Sequence, residues 1–213
     1  SLEKKSLGYY LSGHPVDAIG GKIEKLRSRK IGDITNDIKK ASLVCLINSA
    51  RQIKDRKGNP LTFINFDDGS GVMDGVVASD TLETCHGILK EGSILILKGT
   101  IELDDYKSKD LGDAMYRMRV REVHSLDTEL ERKVREIMIN IEKSDVSSLD
   151  ALSEKLGEIK DDFWAHGSCQ LNIKVKTGKS EVIISAGEKF KFPPTLINLT
   201  YLEEIFGTNA LEI

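Results

Sequence analysis

Two adjacent carboxylates, Asp67 and Asp68, are the first residues here that invite a chemical reading, as a metal site or an acid–base pair. Neighbouring residues of an extended chain point to opposite faces, so both would meet one ion only in a special loop. Gly69 and Gly71 follow at once, and turn formation explains an Asp-Asp-Gly-Ser-Gly corner without metal chemistry. His14 has no second His, Cys or paired carboxylate near it in the chain and reads as a polar residue at a helix–helix corner. Cys85 and His86 share a helical stripe with Leu82 and Leu89, which makes them packing residues rather than ligands. Gly178-Lys179-Ser180 looks like the end of a P-loop, but the glycine required five positions earlier is Ile173, and a strand follows instead of a helix. No catalytic residue, metal ligand or cofactor site is expected.

What remains is binding chemistry. Arg51, Lys54, Arg56 and Lys57 fall within seven residues at the end of one strand and in the loop after it. Either they meet a nucleic-acid backbone or they keep an exposed hairpin tip soluble. In the next strand, Thr62, Ile64 and Phe66 alternate with Leu61, Phe63 and Asn65. With the first set inside, Phe63 faces outward as a stacking platform for a base, unless a neighbouring helix covers it, which is the commoner arrangement. Arg117, Arg119 and Arg121 alternate with Tyr116, Met118 and Val120, so the three arginines share an outer face. They either pair with carboxylates or track phosphates. A further basic run, Lys22, Lys25, Arg27, Arg29 and Lys30, is a backbone contact or a solvated helix face.

These residues need elements to position them. Lys57-Gly58-Asn59 and Asp67-Asp68-Gly69-Ser70-Gly71 are turn signals separating three apolar runs, 43–53, 61–66 and 72–78. A helical stretch, 81–90, and two more strands, 94–103 and 115–123, complete the order of an OB-type Greek-key barrel. In such barrels nucleic acid lies on the face of strands 2 and 3 and against the loops joining strands 1–2 and 4–5. The first of those loops holds the basic cluster. The second, with Asp104, Asp105, Asp110 and Asp113 against Lys107 and Lys109, is acidic on balance.

Before the barrel, Leu7, Tyr10 and Leu11 share one helical face, and Val16, Ile19, Ile23 and Leu26 share another, with His14-Pro15 between them. After it, Ile137, Ile139 and Ile141 alternate, and Leu149, Leu152, Leu156 and Ile159 form a helical face. Strands follow at 169–175, 182–184 and 190–192, then a Thr195-capped helix ended by Gly207 and a short strand over 210–213. The fold class expected is therefore multi-domain α+β. A leading helix pair (1–40) precedes a five-stranded OB-type barrel (41–126) and a small βαβββαβ-like α+β domain (127–213).

Charge divides along the same boundaries. Residues 1–40 carry nine basic against five acidic residues, 41–126 eleven against thirteen, and 127–213 eleven against sixteen. A barrel without basic excess can touch nucleic acid only locally, and the acidic last third points to a protein partner. No apolar run approaches the roughly 20 residues of a membrane span, and no signal-peptide pattern stands at the start. Three scattered cysteines, Cys45, Cys85 and Cys169, read as free thiols in a reducing cytoplasm.

One family shares these motifs. Leu7-Gly8-Tyr9-Tyr10-Leu11-Ser12-Gly13-His14-Pro15 resembles the L-G-x-Y-L-[ST]-G-H-P segment near the C-terminal end of bacterial DNA polymerase III alpha subunits. There an OB domain follows, with an R-x-x-x-K-x-G-N-type hairpin and a D-D-x-[ST]-G turn, matched here by Lys57-Gly58-Asn59 and Asp67 to Gly71. Arg121-Glu122-Val123 is similar to that family's closing strand. Beyond residue 126 the resemblance rests on element order and position. It implies a non-catalytic fragment of a nucleotidyltransferase whose metal-binding carboxylates lie upstream. It implies a barrel on single-stranded template DNA and a last domain, 127–213, docking the tau subunit of the clamp loader. The family's clamp-binding peptide is Gln-led and ends in an aromatic; Gln52 and Gln170, followed by IKDR and LNIK, do not fit it, so clamp contact is expected upstream. The rival readings are a tRNA-binding OB module of a translation enzyme and a purely structural docking module.

Overall fold

The structure, a computed structural model, describes residues 14–24, 26–85, 87–111, 114–142, 167–177, 180–187, 191–207 and 210–213, with positions 153, 154, 157 and 159 besides. The helix expected over residues 2–13, Lys25, His86, most of the helix near 149–159, Asp113, the Gly178-Lys179 turn and Phe190 lie outside the described residues. The chain forms two compact units that part between Leu126 and Asp127.

In the first unit, five strands close a barrel: β1 (Lys40–Lys54), β2 (Pro60–Asp67), β3 (Val72–Ala78), β4 (Ile94–Leu103) and β5 (Tyr116–Ser125). Their order around the wall is β1-β2-β3-β5-β4, with β4 returning to β1. All pairings are antiparallel except β3 with β5. The OB-type barrel expected from the turn signals is present. Period-two alternation carries Leu43, Cys45, Ile47, Ile64, Phe66, Val77, Leu97, Met118 and Val120 into one buried core. Each such Leu, Ile, Val, Phe or Met side chain, fully buried, is worth about 1.5–3 kcal/mol.

The long β1 is buried on both faces from Leu43 to Ile47, and a register shift between Ile47 and Ser49 then bends it away. Asn48 is the inserted residue, so a β-bulge lets one strand serve both halves of the wall. Between β3 and β4, α1 (Ser79–Thr84) is shorter than the periodicity predicts. The chain leaves it in turns, and Gly87 takes a positive φ. Cys85 is still buried, and Leu82, Ile88 and Leu89 pack against the barrel core. A second helix, α2 (Asp105–Leu111), occupies the β4–β5 connection.

The segment before the barrel differs from the expected α-helix. Asp17–Ile23 is 3-10 helix broken at Gly20 (φ 66°, ψ −149°), where two consecutive glycines give little helical preference. Its apolar face is as the spacing predicts, with Val16, Ile19, Ile23 and Leu26 all buried.

A helix that the periodicity reading passed over, α3 (Leu126–Lys133), leads into the second unit. Leu126 and Leu130 on it, with Val134 just past its end, form a buried stripe at i, i+4 and i+8. Glu129 is wholly buried on it and accepts both Nε (3.0 Å) and Nη2 (2.8 Å) of Arg132. The sheet of this unit is built from β6 (Glu136–Glu142), β7 (Cys169–Thr177), β8 (Ser180–Ser185) and β10 (Leu211–Glu212), in the order β10-β6-β7-β8. The two-residue β9 (Lys191–Phe192) pairs with β7, and β6 and β7 are parallel. Ile137, Ile139, Leu171, Phe192, Leu199 and Leu202 are buried there. The last helix, α4 (Leu196–Phe206), is capped at its start by Thr195, whose hydroxyl accepts from Asn198 N–H. Asp127 accepts the Leu196 N–H at 2.8 Å and so holds the start of α4 a second time. No described helix is long and apolar enough to cross a membrane.

Candidate nucleic-acid interface

Strand register assembles a site on the outer wall of the barrel. Arg51 stands opposite Phe63, Phe63 opposite Val76, and Val76 opposite Arg119. Paired residues share a face, so these four form one row across β1, β2, β3 and β5. Two positions along, Leu61 faces Ala78; two positions the other way, Asn65 faces Asp74 and Asp74 faces Arg117. Leu61, Phe63, Val76 and Ala78 thus floor an apolar cleft of about 320 Å3, with Arg117, Arg119 and Arg121 along its wall. Phe63 is 45% exposed, so no helix of the described chain covers it.

Arg117 and Arg119 do pair with a carboxylate. Glu102 on β4 meets Arg117 Nη2 at 3.5 Å and Arg119 Nε at 3.3 Å. One carboxylate between two forked guanidiniums fixes both while leaving most of their donors for another acceptor.

The β1–β2 turn is built around Asp55. Its carboxylate accepts the N–H groups of Lys57 and Asn59 at 2.8 Å, and Asn59 Nδ2 at 3.2 Å. These hydrogen bonds, led by that from Asn59, hold the Asp55 carboxyl below its ordinary value. Gly58 alone takes the positive φ (86°) here; Asn59 contributes its side chain instead. With Asp55 engaged by the turn, Lys54, Arg56 and Lys57 are exposed at the ribbon tip, beyond the Arg51–Phe63 row.

A chain of polar groups borders the cleft. Asn48 donates to Asp67 (2.9 Å) and to Asn65 (3.2 Å), Asn65 donates to Asp74 (2.7 Å), and Asp74 binds Lys107 of α2. Burial pushes the Asp74 carboxyl up, but the Lys107 and Asn65 hydrogen bonds outweigh it and the net shift is down; Lys107 is raised in return. At the far end His14 pairs with Asp67, its Nδ1 accepting from Val16 N–H at 3.2 Å. Asp68 is 2% exposed and accepts Ile31 N–H (2.8 Å), Ser70 N–H (3.0 Å) and the Ser70 hydroxyl (2.6 Å). The two aspartates therefore fasten the preceding segment to the barrel. Among the described residues no three His, Cys, Asp or Glu side chains gather as a metal site.

Register thus brings Arg51, Phe63, Arg117 and Arg119 together, with Arg121 beside them, and leaves Lys54, Arg56 and Lys57 at the adjoining tip. One exposed aromatic was not singled out from sequence. Tyr106 on α2, 78% exposed, is an aromatic in the second loop through which OB barrels reach nucleic acid. The acidic neighbours of Tyr106 hid it, although an apolar ring among charges was visible.

Residues 43–126 match the family described as OB-fold nucleic acid binding domain. The DNA polymerase III alpha subunit of Pseudomonas fluorescens is 23% identical over 206 residues, covering 96% of this chain and 17% of the relative. That of Neisseria meningitidis serogroup A is 28% identical over 216 residues, covering 99% and 18%. The resemblance first carried by the L-G-Y-Y-L-S-G-H-P segment therefore extends over nearly the whole chain, which spans less than a fifth of the length of these relatives. Among solved structures, the SSB domain of a Synechococcus protein aligns with 43% of the chain and 99% of its own, at 9% identity and a TM-score of 0.34.

Proposed function

We propose that this chain is the C-terminal, non-catalytic part of a DNA polymerase III alpha subunit, in which the barrel holds single-stranded template DNA and residues 127–213 dock the tau subunit of the clamp loader. The observation that carries the first half is the in-register row Arg51–Phe63–Val76–Arg119. An apolar floor with an exposed ring accepts bases by stacking, and guanidiniums along one wall accept the phosphates between them. Lys54, Arg56 and Lys57 extend the basic border at the ribbon tip. The acidic balance of residues 127–213 supports the second half, since a surface poor in net positive charge suits a protein partner better than DNA. Nucleotidyl transfer belongs, in this reading, to residues upstream of the chain.

Fluorescence anisotropy of labelled single-stranded DNA at low and moderate salt tests the barrel. Binding should weaken with salt, and Phe63→Ala should cost about 1–3 kcal/mol of affinity. Changing Arg51, Lys54, Arg56 and Lys57 to Ala should flatten the salt dependence by about 0.7 for each phosphate that these cations neutralise. No binding by the unaltered chain at low salt would remove the barrel's role. For the second unit, capture of this chain by immobilised tau is expected, and its failure would remove the docking assignment.

A further inference from the structure

A second concavity, of about 460 Å3, lies on the barrel wall formed by β1, β4 and β5, among Ser28, Lys40, Ser42, Lys98, Thr100 and Arg121. One side is built by the segment before the barrel. Ser28 N–H donates to the Ser42 carbonyl (2.8 Å) and Ser42 N–H donates to the Ser28 hydroxyl (2.9 Å), which lays that segment along the first half of β1. The other side is built by a β-bulge. The β4–β5 register shifts between Lys98 and Gly99, so Arg121 and Glu122 both face outward in succession. Gly99 permits this, because a Cβ there would stand 2.3 Å from the Arg119 carbonyl oxygen.

The bulge turns Arg121 to the boundary between two concavities, and it lines both this one and the Phe63 cleft. Among the described residues three cations, Lys40, Lys98 and Arg121, stand here against one carboxylate, Glu122, which meets Lys98 at 3.6 Å and His124 at 2.9 Å. Lys40 and Arg121 pair with no carboxylate among the described residues. Among the described residues no aromatic ring lines this concavity, in contrast to the Phe63 cleft. Cations without a stacking surface recognise phosphate rather than base.

We infer that this second concavity is a phosphodiester site that takes the next stretch of the strand held on the Phe63 face. The strand leaves the stacking row over Arg121, and its following phosphates settle among Lys40, Lys98 and Thr100. The inference rests on the reading of the Phe63 face as strand-binding and adds a direction, towards β4 and the first half of β1, and a longer occupied length.

Two labelled oligo-dT strands, of about 6 and about 14 nucleotides, separate the two sites, since OB folds occupy about 4–16 nucleotides. The unaltered chain is compared with the double variant Lys40→Gln/Lys98→Gln and with Phe63→Ala, each checked for an unchanged thermal transition. The double variant should bind the short strand like the unaltered chain. It should lose several-fold affinity for the long strand, with a salt slope smaller by about 1.4 because two phosphates are no longer neutralised. Phe63→Ala should weaken both lengths. A double variant that binds the long strand with unchanged affinity and slope overturns the second site alone, and so does one that loses both lengths equally. Binding of neither length by the unaltered chain overturns the Phe63 reading and the second site with it.

Discussion

Asp68 shows how a residue explained locally can act at a distance. Its place before Gly69 suits a turn, and it does bind Ser70 two residues on. Its other oxygen accepts the N–H of Ile31, 37 positions earlier, a partner brought to it by the packing of the preceding segment against the barrel and not by local pattern. Phe63 is the opposite case: its outward direction follows from period-two alternation with Ile64 and Phe66, and the structure leaves it exposed. What alternation could not supply was the set of residues opposite Phe63, because register is settled between strands. Asp68→Ala would leave the buried Ile31 N–H without its acceptor, a cost of about 1–3 kcal/mol. Thermal or urea unfolding of that variant should show a loss of that size. An unchanged transition would mean that the preceding segment holds to the barrel without this carboxylate.

Strands were more legible than helices. The β3 and β4 boundaries agree with the apolar runs read at 72–78 and 94–103, since buried alternation and flanking glycines both mark them. Helical spacing marked the buried face of residues 16–26 but not the helix type, because burial repeats similarly in 3-10 and α turns while the Gly20 break is a backbone property. α3 was missed because six of the ten residues from Leu126 to Arg135 are charged, which masks a three-residue apolar stripe. The β1–β2 ribbon tip has its own pH dependence. Asp55 is depressed in the folded turn, so its stabilising effect is complete above the unfolded value of about 3.9 and is lost as pH falls through the lower folded value. The Lys57 and Asn59 amide resonances should therefore titrate together, with a midpoint below that unfolded value, in an NMR pH series. Amides that stay constant through that range would show that the carboxylate does not order the loop.

The two compact units part between Leu126 and Asp127, and the residues after that point carry the larger acidic excess. Each unit carries its own buried thiols, and these offer a way to follow the units separately. Cys45 and Cys85 belong to one core in the barrel, and burial raises both thiols. Cys169 lies in β7 of the second unit, where burial, reinforced by the charge of Glu136 and opposed by Arg135, pushes it up to about 12. Thiolate is the reactive form, so at a pH of about 8 on the order of one Cys169 in ten thousand would be ionised even before access is considered. Ellman's reagent should leave all three thiols unmodified in the native protein and modify all three in guanidinium. Pulse labelling across a denaturant series, read by peptide mass, should expose Cys45 and Cys85 in a common step, because opening their shared core uncovers both. The Cys169 curve then reports the second unit on its own. Labelling of Cys45 well before Cys85 would mean that the barrel core does not open as one body. Fast labelling of Cys169 in the native protein would mean that β7 is not the buried centre of its sheet.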